Sequence, residues 1–237
     1  MADLLEAWQA FSSLFIFVSG LLFSIKIAKY FGVKQKHSAF LYVWHTFFCL
    51  VYFWYASSNV NDAYGYYLKA SSGAFELKPG TNAVVLVNYI FINVFKLSFL
   101  GSFLVNNVFG FLGLVAFKGA LDTSTRLKSK NIRRLAWIIV LLPSVSFWTS
   151  ALGKDSIAFM ATGFALWASL NINKRYYLMA FSVLAMFLVR PHMAGMLIIA
   201  LAISMALNAN LNIVRRVVIG AVACAIAALG VPFAIQY

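Results

Sequence analysis

The sequence predicts an all-α integral membrane protein with about eight transmembrane helices plus one interfacial or re-entrant helix. Three observations predict it. Apolar residues make up 63% of the 237 residues and charged residues only 11%, with a mean hydropathy of +0.86. A soluble domain carries roughly a quarter charged residues, so too few are present here to clothe a water-facing surface. Apolar runs follow one another along the whole chain at lengths near the ~20 residues that cross a bilayer. The net charge of +13 is concentrated in the connections between those runs. That placement points to orientation in a lipid bilayer and away from nucleic acid as a partner.

The first run covers residues 8–27 and the second 40–56. A polar stretch, 57–82, follows and contains Asp62, Tyr64, Tyr66, Tyr67, Glu76 and Lys78. Next come 83–95 and 99–121, separated at Lys96, and then 135–153, 156–170, 176–189, 193–207 and 217–235. The chain reads as a single polytopic transmembrane domain over 1–237, with 57–98 as an extracytoplasmic loop and interfacial helix. It ends at Tyr237 straight after an apolar run, as a fragment of a longer protein would. Asp3 and Glu6, rather than a basic segment, precede the first run, so no cleavable signal peptide is expected. Cys49 and Cys224 lie inside apolar runs without metal-ligand spacing, and no metal or cofactor is expected.

Orientation follows from the basic clusters. Lys26, Lys29, Lys34 and Lys36 flank the first connection; Arg126, Lys128, Lys130, Arg133 and Arg134 precede the run at 135; Lys174–Arg175 and Arg215–Arg216 mark two more. All four clusters share the inner side only if 83–95 does not cross. Thirteen residues of helix also reach only about 20 Å, short of a ~30 Å core. With 83–95 re-entrant, both termini lie outside, and Lys118 snorkels toward the inner side. Asp62, Glu76, Lys154, Asp155, Arg190 and His192 then all fall at the outer face. No run carries a charge at its centre, which argues against ion-coupled transport.

The most unusual stretch is 143–155, Pro-Ser-Val-Ser-Phe-Trp-Thr-Ser-Ala-Leu-Gly-Lys-Asp. Pro143 interrupts the hydrogen-bond ladder in mid-span, and Pro143, Phe147, Ser150 and Lys154 recur at spacings that share one helix face. A kinked span topped by a snorkelling lysine is the plainer reading of the same residues. Asp155 suits the N-terminus of the next helix as a cap. Arg190 and Lys154 fall at one depth, where two outward cations could hold a phosphate or diphosphate as charge develops on it. His192 beside them is either an interfacial residue or an assistant to that site. His37 and His45 have no partner spacing. Asp62 sits among aromatics, including Tyr66, which are ordinary interface anchors or else rings that shield a general base and stack on a sugar. Asn82, Asn88 and Asn93 of the following helix would floor such a site.

Three of these stretches, Asp62-Ala-Tyr-Gly-Tyr-Tyr, Pro-Ser-x-x-Phe-Trp-x-Ser-x-x-x-Lys-Asp at 143–155 and Arg-Pro-His at 190–192, together resemble bacterial envelope polysaccharide enzymes. The resemblance is to the multispan GT-C-fold glycosyltransferases and O-antigen (Wzy-like) polymerases. It implies a GT-C-like bundle in the bacterial inner membrane that transfers sugar from a polyprenyl-phosphate or diphosphate donor to a glycan acceptor. Asp62 would be the catalytic base, Lys154 and Arg190 would hold the phosphate, and His192, Asp155 and Tyr66 would line the substrate site. The donor's isoprenoid tail would lie against Phe-rich spans. In that pattern the carboxylate follows the first span, whereas Asp62 follows the second. The rival expectation is a non-catalytic membrane subunit or scaffold of an envelope assembly or export complex, working with other envelope-biosynthesis membrane proteins.

Overall fold

The computed structural model describes residues 2–206 and Val217; the apolar run at 217–235, Arg215–Arg216 and Cys224 lie outside the rest of the described residues. Every regular element among them is helical. Helix α1 (Ala2–Ile27) folds back on α2 (Gln35–Ser58), with the Ser38 hydroxyl donating to the Ser24 carbonyl at 2.7 Å. The polar stretch after α2 is not an open loop. It forms helix α3 (Asp62–Ser72), whose first turn is capped by Asn61, the side chain accepting from the Tyr64 N–H at 3.1 Å. Gly73 ends that helix in the left-handed region at φ 69°.

Helix α4 (Thr81–Tyr89) runs on through a π-helical turn, Ile90–Val94. Its start is pinned where the Gly80 N–H donates to the Leu188 carbonyl at 2.7 Å, and its end where Trp8 Nε1 donates to the Phe95 carbonyl at 2.9 Å. Helix α5 (Phe99–Ser124) is followed by α6 (Lys130–Val140), α7 (Pro143–Thr149), α8 (Lys154–Ser169), α9 (Ile172–Val189) and α10 (Pro191–Ala206). Successive long helices alternate in direction. Phe31 in the α1–α2 connection meets the backbone at Gly119 and the ring of Trp167, and His37 stacks edge-on to Trp137. The connections rich in Lys and Arg therefore gather at one end of the bundle, and Leu188 and Trp8 lie at the other. Both ends of Thr81–Val94 are tied to residues of that second end, Gly80 to Leu188 and Phe95 to Trp8.

Five helical segments among the described residues are long and apolar enough to cross a membrane: Leu4–Ile27, Gln35–Ser58, Phe99–Ser124, Lys130–Thr149 (α6 and α7 taken together across their break) and Ile172–Val189. At 16 residues, α8 reaches about 24 Å and falls short by length, as do the 16 described residues of α10. Helix α5 is the central one. In its most apolar stretch 72% of residues are buried, against 17% to 39% in the other four. Helix α8 lies against it with almost no side chain between. A Cβ on Gly113 would sit 2.6 Å from the Phe159 carbonyl oxygen, and one on Gly163 would overlap the Gly113 carbonyl. Two apolar helices in lipid gain little from hydrophobic burial, and small residues that let backbones approach supply the attraction instead. Lys118, expected to snorkel, is instead 1% exposed in α5, paired with Asp122 and lying 4.2 Å over the Trp137 ring.

The 143–155 stretch departs from its expected single helix. The chain breaks at Leu141 and Leu142, and Pro143 becomes the first residue of α7, where its missing N–H costs nothing. Helix α7 stops at Thr149, and residues 150–153 form a turn ending in extended Gly153. Lys154 therefore does not share a helix face with Pro143, Phe147 and Ser150; it starts α8. The reason is backbone contact. A Cβ on Gly110 of α5 would overlap the Thr149 carbonyl, so the end of α7 abuts α5 where the chain turns.

The Gly113→Leu variant is expected to lose folded, monodisperse protein in detergent and to melt at lower temperature, since overpacking costs about 1–3 kcal/mol or more. Gly65→Ala in α3, where an added Cβ meets nothing within 4 Å, is the matched control and should melt no lower than the parent.

Candidate functional site

Four separate helix ends converge at the end of the bundle opposite the basic connections. Asp62 is the first residue of α3, and Lys154 and Asp155 are the first two of α8. Arg190 ends α9, and Pro191 and His192 begin α10. They enclose a cavity of about 310 Å³ lined by Asp62, Tyr66, Lys154, Asp155, Arg190 and His192, together with Tyr52, Trp148 and the turn 151–153. All six residues singled out in the sequence thus face one space, although they lie 130 positions apart at the extremes. Asp62 and His192 are exposed, and Tyr66, Lys154, Asp155 and Arg190 are half-buried.

Arg190 is not a free cation. Its Nη2 donates to Asp155 Oδ1 at 2.5 Å, with the two side chains 32% and 47% exposed. Asp155 therefore serves α9 rather than capping its own helix; the cap is Gly153, which offers no side-chain acceptor to the first turn. At this exposure the pair adds little stability, but it orients the guanidinium fork and leaves other N–H donors for a ligand. The Arg190 Nε is buried with no hydrogen-bond partner among the described residues. Burial pushes the Lys154 ammonium below the ordinary lysine range and Arg190 pushes it the same way, while the carboxylates of Asp62 and Asp155 oppose them. Burial and then the Asp62 charge raise the Tyr66 phenol, against a side-chain hydrogen bond from Thr81, so it remains a hydrogen-bond donor at neutral pH. The cavity wall carries an exposed carboxylate and two cations, with the N-terminus of α8, which has no side-chain cap, adding positive potential. Such a set can take a proton from a hydroxyl and neutralise an anionic leaving group.

A second, apolar groove of about 470 Å³ adjoins the first. It runs between α4, α5, α8 and α9 and is lined by Leu86, Val87, Phe109, Ile157, Met160, Phe181, Leu184, Ala185 and Leu188. Val189 lines both spaces, so a polar chamber opens beside an apolar one. Glu76 lies at the groove, paired with Lys78 at 2.5 Å, and does not line the polar cavity.

The three asparagines do not floor the site. Asn82 lines the apolar groove, and Asn93 ties the Ala70 carbonyl at 2.8 Å. Asn88 is buried, accepting from Asn106 Nδ2 at 2.8 Å. His45, which has no partner in the sequence, is enclosed in the bundle with Nδ1 2.6 Å from Asn107 Oδ1 and Nε2 3.1 Å from Thr149 Oγ1. Two further lining residues, Tyr52 and Trp148, have ring centroids 5.8 Å apart and offer an aromatic wall. The signal for the buried group was the presence of Asn and His inside apolar runs, where each needs a partner. Comparison with known protein families, with curated proteins and with solved structures finds no match to this chain.

Acylation of Lys154 by an amine-selective reagent is expected to reach half its maximal rate at lower pH than that of a free lysine derivative labelled in parallel. Its lowered pKa exposes the neutral amine earlier as pH rises. Peptide mass spectrometry across a pH series reads this; a Lys154 profile at or above the free lysine's would contradict the geometry.

Proposed function

We propose that the chain is a lipid-linked-sugar glycosyltransferase or polysaccharide polymerase at the extracytoplasmic face of a bacterial inner membrane. The observation that carries the reading is the meeting at Val189 of a cation-bearing cavity and an apolar groove. A ligand suited to both has an anionic head and a long apolar tail, as a polyprenyl phosphate or diphosphate sugar does. The groove is largely aliphatic, with Phe109 and Phe181 as its aromatic walls, so the tail would rest on branched side chains rather than on Phe-rich spans.

Asp62 accepts the proton of an acceptor hydroxyl as its oxygen attacks the anomeric carbon. The bond from that carbon to the phosphate oxygen breaks, and the electron pair stays on the phosphate. Lys154 and the oriented Arg190 neutralise that charge, with Tyr66 and His192 as hydrogen-bond donors and Asp155 holding the guanidinium. Attack from the face opposite the leaving group inverts the sugar. Lys154 binds anions only while protonated, and its pKa is lowered, so donor binding weakens as pH rises through a range in which an ordinary lysine is still charged. The reading includes about eight spans, the number the apolar runs of the sequence give, with α8 and α10 crossing as short helices where the bilayer thins. The basic connections then face the cytoplasm.

Asp62→Asn should lower polymer assembly about 10²–10⁴-fold at unchanged protein abundance, the range expected for loss of a general base. Wild-type polymer in that variant would overturn the assignment and favour a scaffold. Lys154→Arg should move the alkaline loss of donor binding to higher pH, as followed by binding of a polyprenyl phosphate in nanodiscs.

A further inference from the structure

The turn that delivers Lys154 and Asp155 to the cavity is held at one end by His45 of α2, itself bonded to Asn107 of α5, and at the other by Asn106 of α5. At the near end, Asn107 Nδ2 donates to Thr46 Oγ1 at 2.8 Å, which leaves Asn107 Oδ1 to accept from His45 Nδ1 at 2.6 Å. His45 Nε2 is then an acceptor, and its neighbour is the Thr149 hydroxyl at 3.1 Å, the last helical residue before the turn. That hydroxyl also lies 2.7 Å from the Val145 carbonyl, so its single proton divides between the two. At the far end, the Ser156 hydroxyl lies 3.1 Å from both Asn106 Oδ1 and the Gly153 carbonyl. Asn106 in turn donates to Asn88 at 2.8 Å and to the Ser102 carbonyl at 2.9 Å. Asn88, Asn106, Asn107, His45 and Ser156 are all 0% exposed.

We infer that His45, Asn107, Asn106 and Ser156 are positioning residues for the anion-binding end of the cavity. The inference rests on the reading of Lys154 as a phosphate-binding group. A span needs none of these polar groups to be stable in lipid, and each costs desolvation unless it is paired. Their pairing falls on residues 149 and 156, the two sides of the turn whose members line the cavity. A displacement of about 1 Å in a clamp of this kind costs on the order of 100-fold in rate.

The test uses the full chain in nanodiscs, with His45→Phe and Ser156→Ala compared with the conservative His45→Gln and Ser156→Thr. The first readout is the rate of Lys154 acylation, taken at equal melting temperature and normalised to Lys69. The second is the KM for a polyprenyl-linked sugar against kcat. We expect Lys154 labelling to shift several-fold and the donor KM to rise about tenfold in His45→Phe and Ser156→Ala, with the acceptor KM unmoved and recovery in the conservative pair. If His45→Phe does not fold, Ser156→Ala, which removes one hydroxyl, decides alone. Unchanged Lys154 labelling in folded Ser156→Ala overturns the inference. Absence of transfer by the wild-type chain defeats the proposed activity instead, and the labelling still decides the positioning.

Discussion

The crossing of α5 and α8 at Gly113 and Gly163 is the contact on which the rest of the bundle depends. In lipid the hydrophobic effect does not drive helices together, so a central helix is held by how closely backbones approach and by polar pairs between them. Glycines at both partners allow that approach, and a third, Gly110, lets the end of α7 reach the same helix. Once α8 and α7 are both seated on α5, the four residues between them have no freedom to continue a helix. The turn at 150–153 follows, and with it the position of Lys154.

The same constraint explains why polar side chains occur where lipid would penalise them. Asn106 and Asn107 stand a turn before Gly110 on α5, and each serves a different neighbour, Asn106 toward α4 and α8 and Asn107 toward α2. Buried in a low-dielectric interior, these bonds are strong when complete and costly when broken. They define the register of five helices more sharply than interchangeable apolar contacts would. The Arg190–Asp155 pair plays a comparable part at the end of the bundle, linking the start of α8 to the end of α9. Because it is partly exposed, it orients without locking, and the guanidinium retains donors for an anion.

Two spaces of opposite character result, side by side. A polar chamber of about 310 Å³ and an apolar groove of about 470 Å³ share Val189 as a wall. The proposed lipid-linked donor matches that division, its phosphate against the cations and its tail against aliphatic side chains of α4, α8 and α9.

Composition and the spacing of apolar runs by themselves predicted an all-helical chain with helices long and apolar enough for a bilayer, because too few charges are present to face water. The sequence also singled out Asp62, Tyr66, Lys154, Asp155, Arg190 and His192, since charged and aromatic residues at the ends of apolar runs are few enough to stand out. What it could not supply was their convergence. Helical periodicity is a local rule, and it carried a single helix across 143–155 where contact of Thr149 with Gly110 of α5 forces a break. The pairing of Arg190 with Asp155, the helix hidden in 62–72 and the enclosure of His45 between Asn107 and Thr149 were likewise tertiary decisions. Each depends on which backbone lies beside which, and glycine spacing along α5 permits that approach without naming the partner.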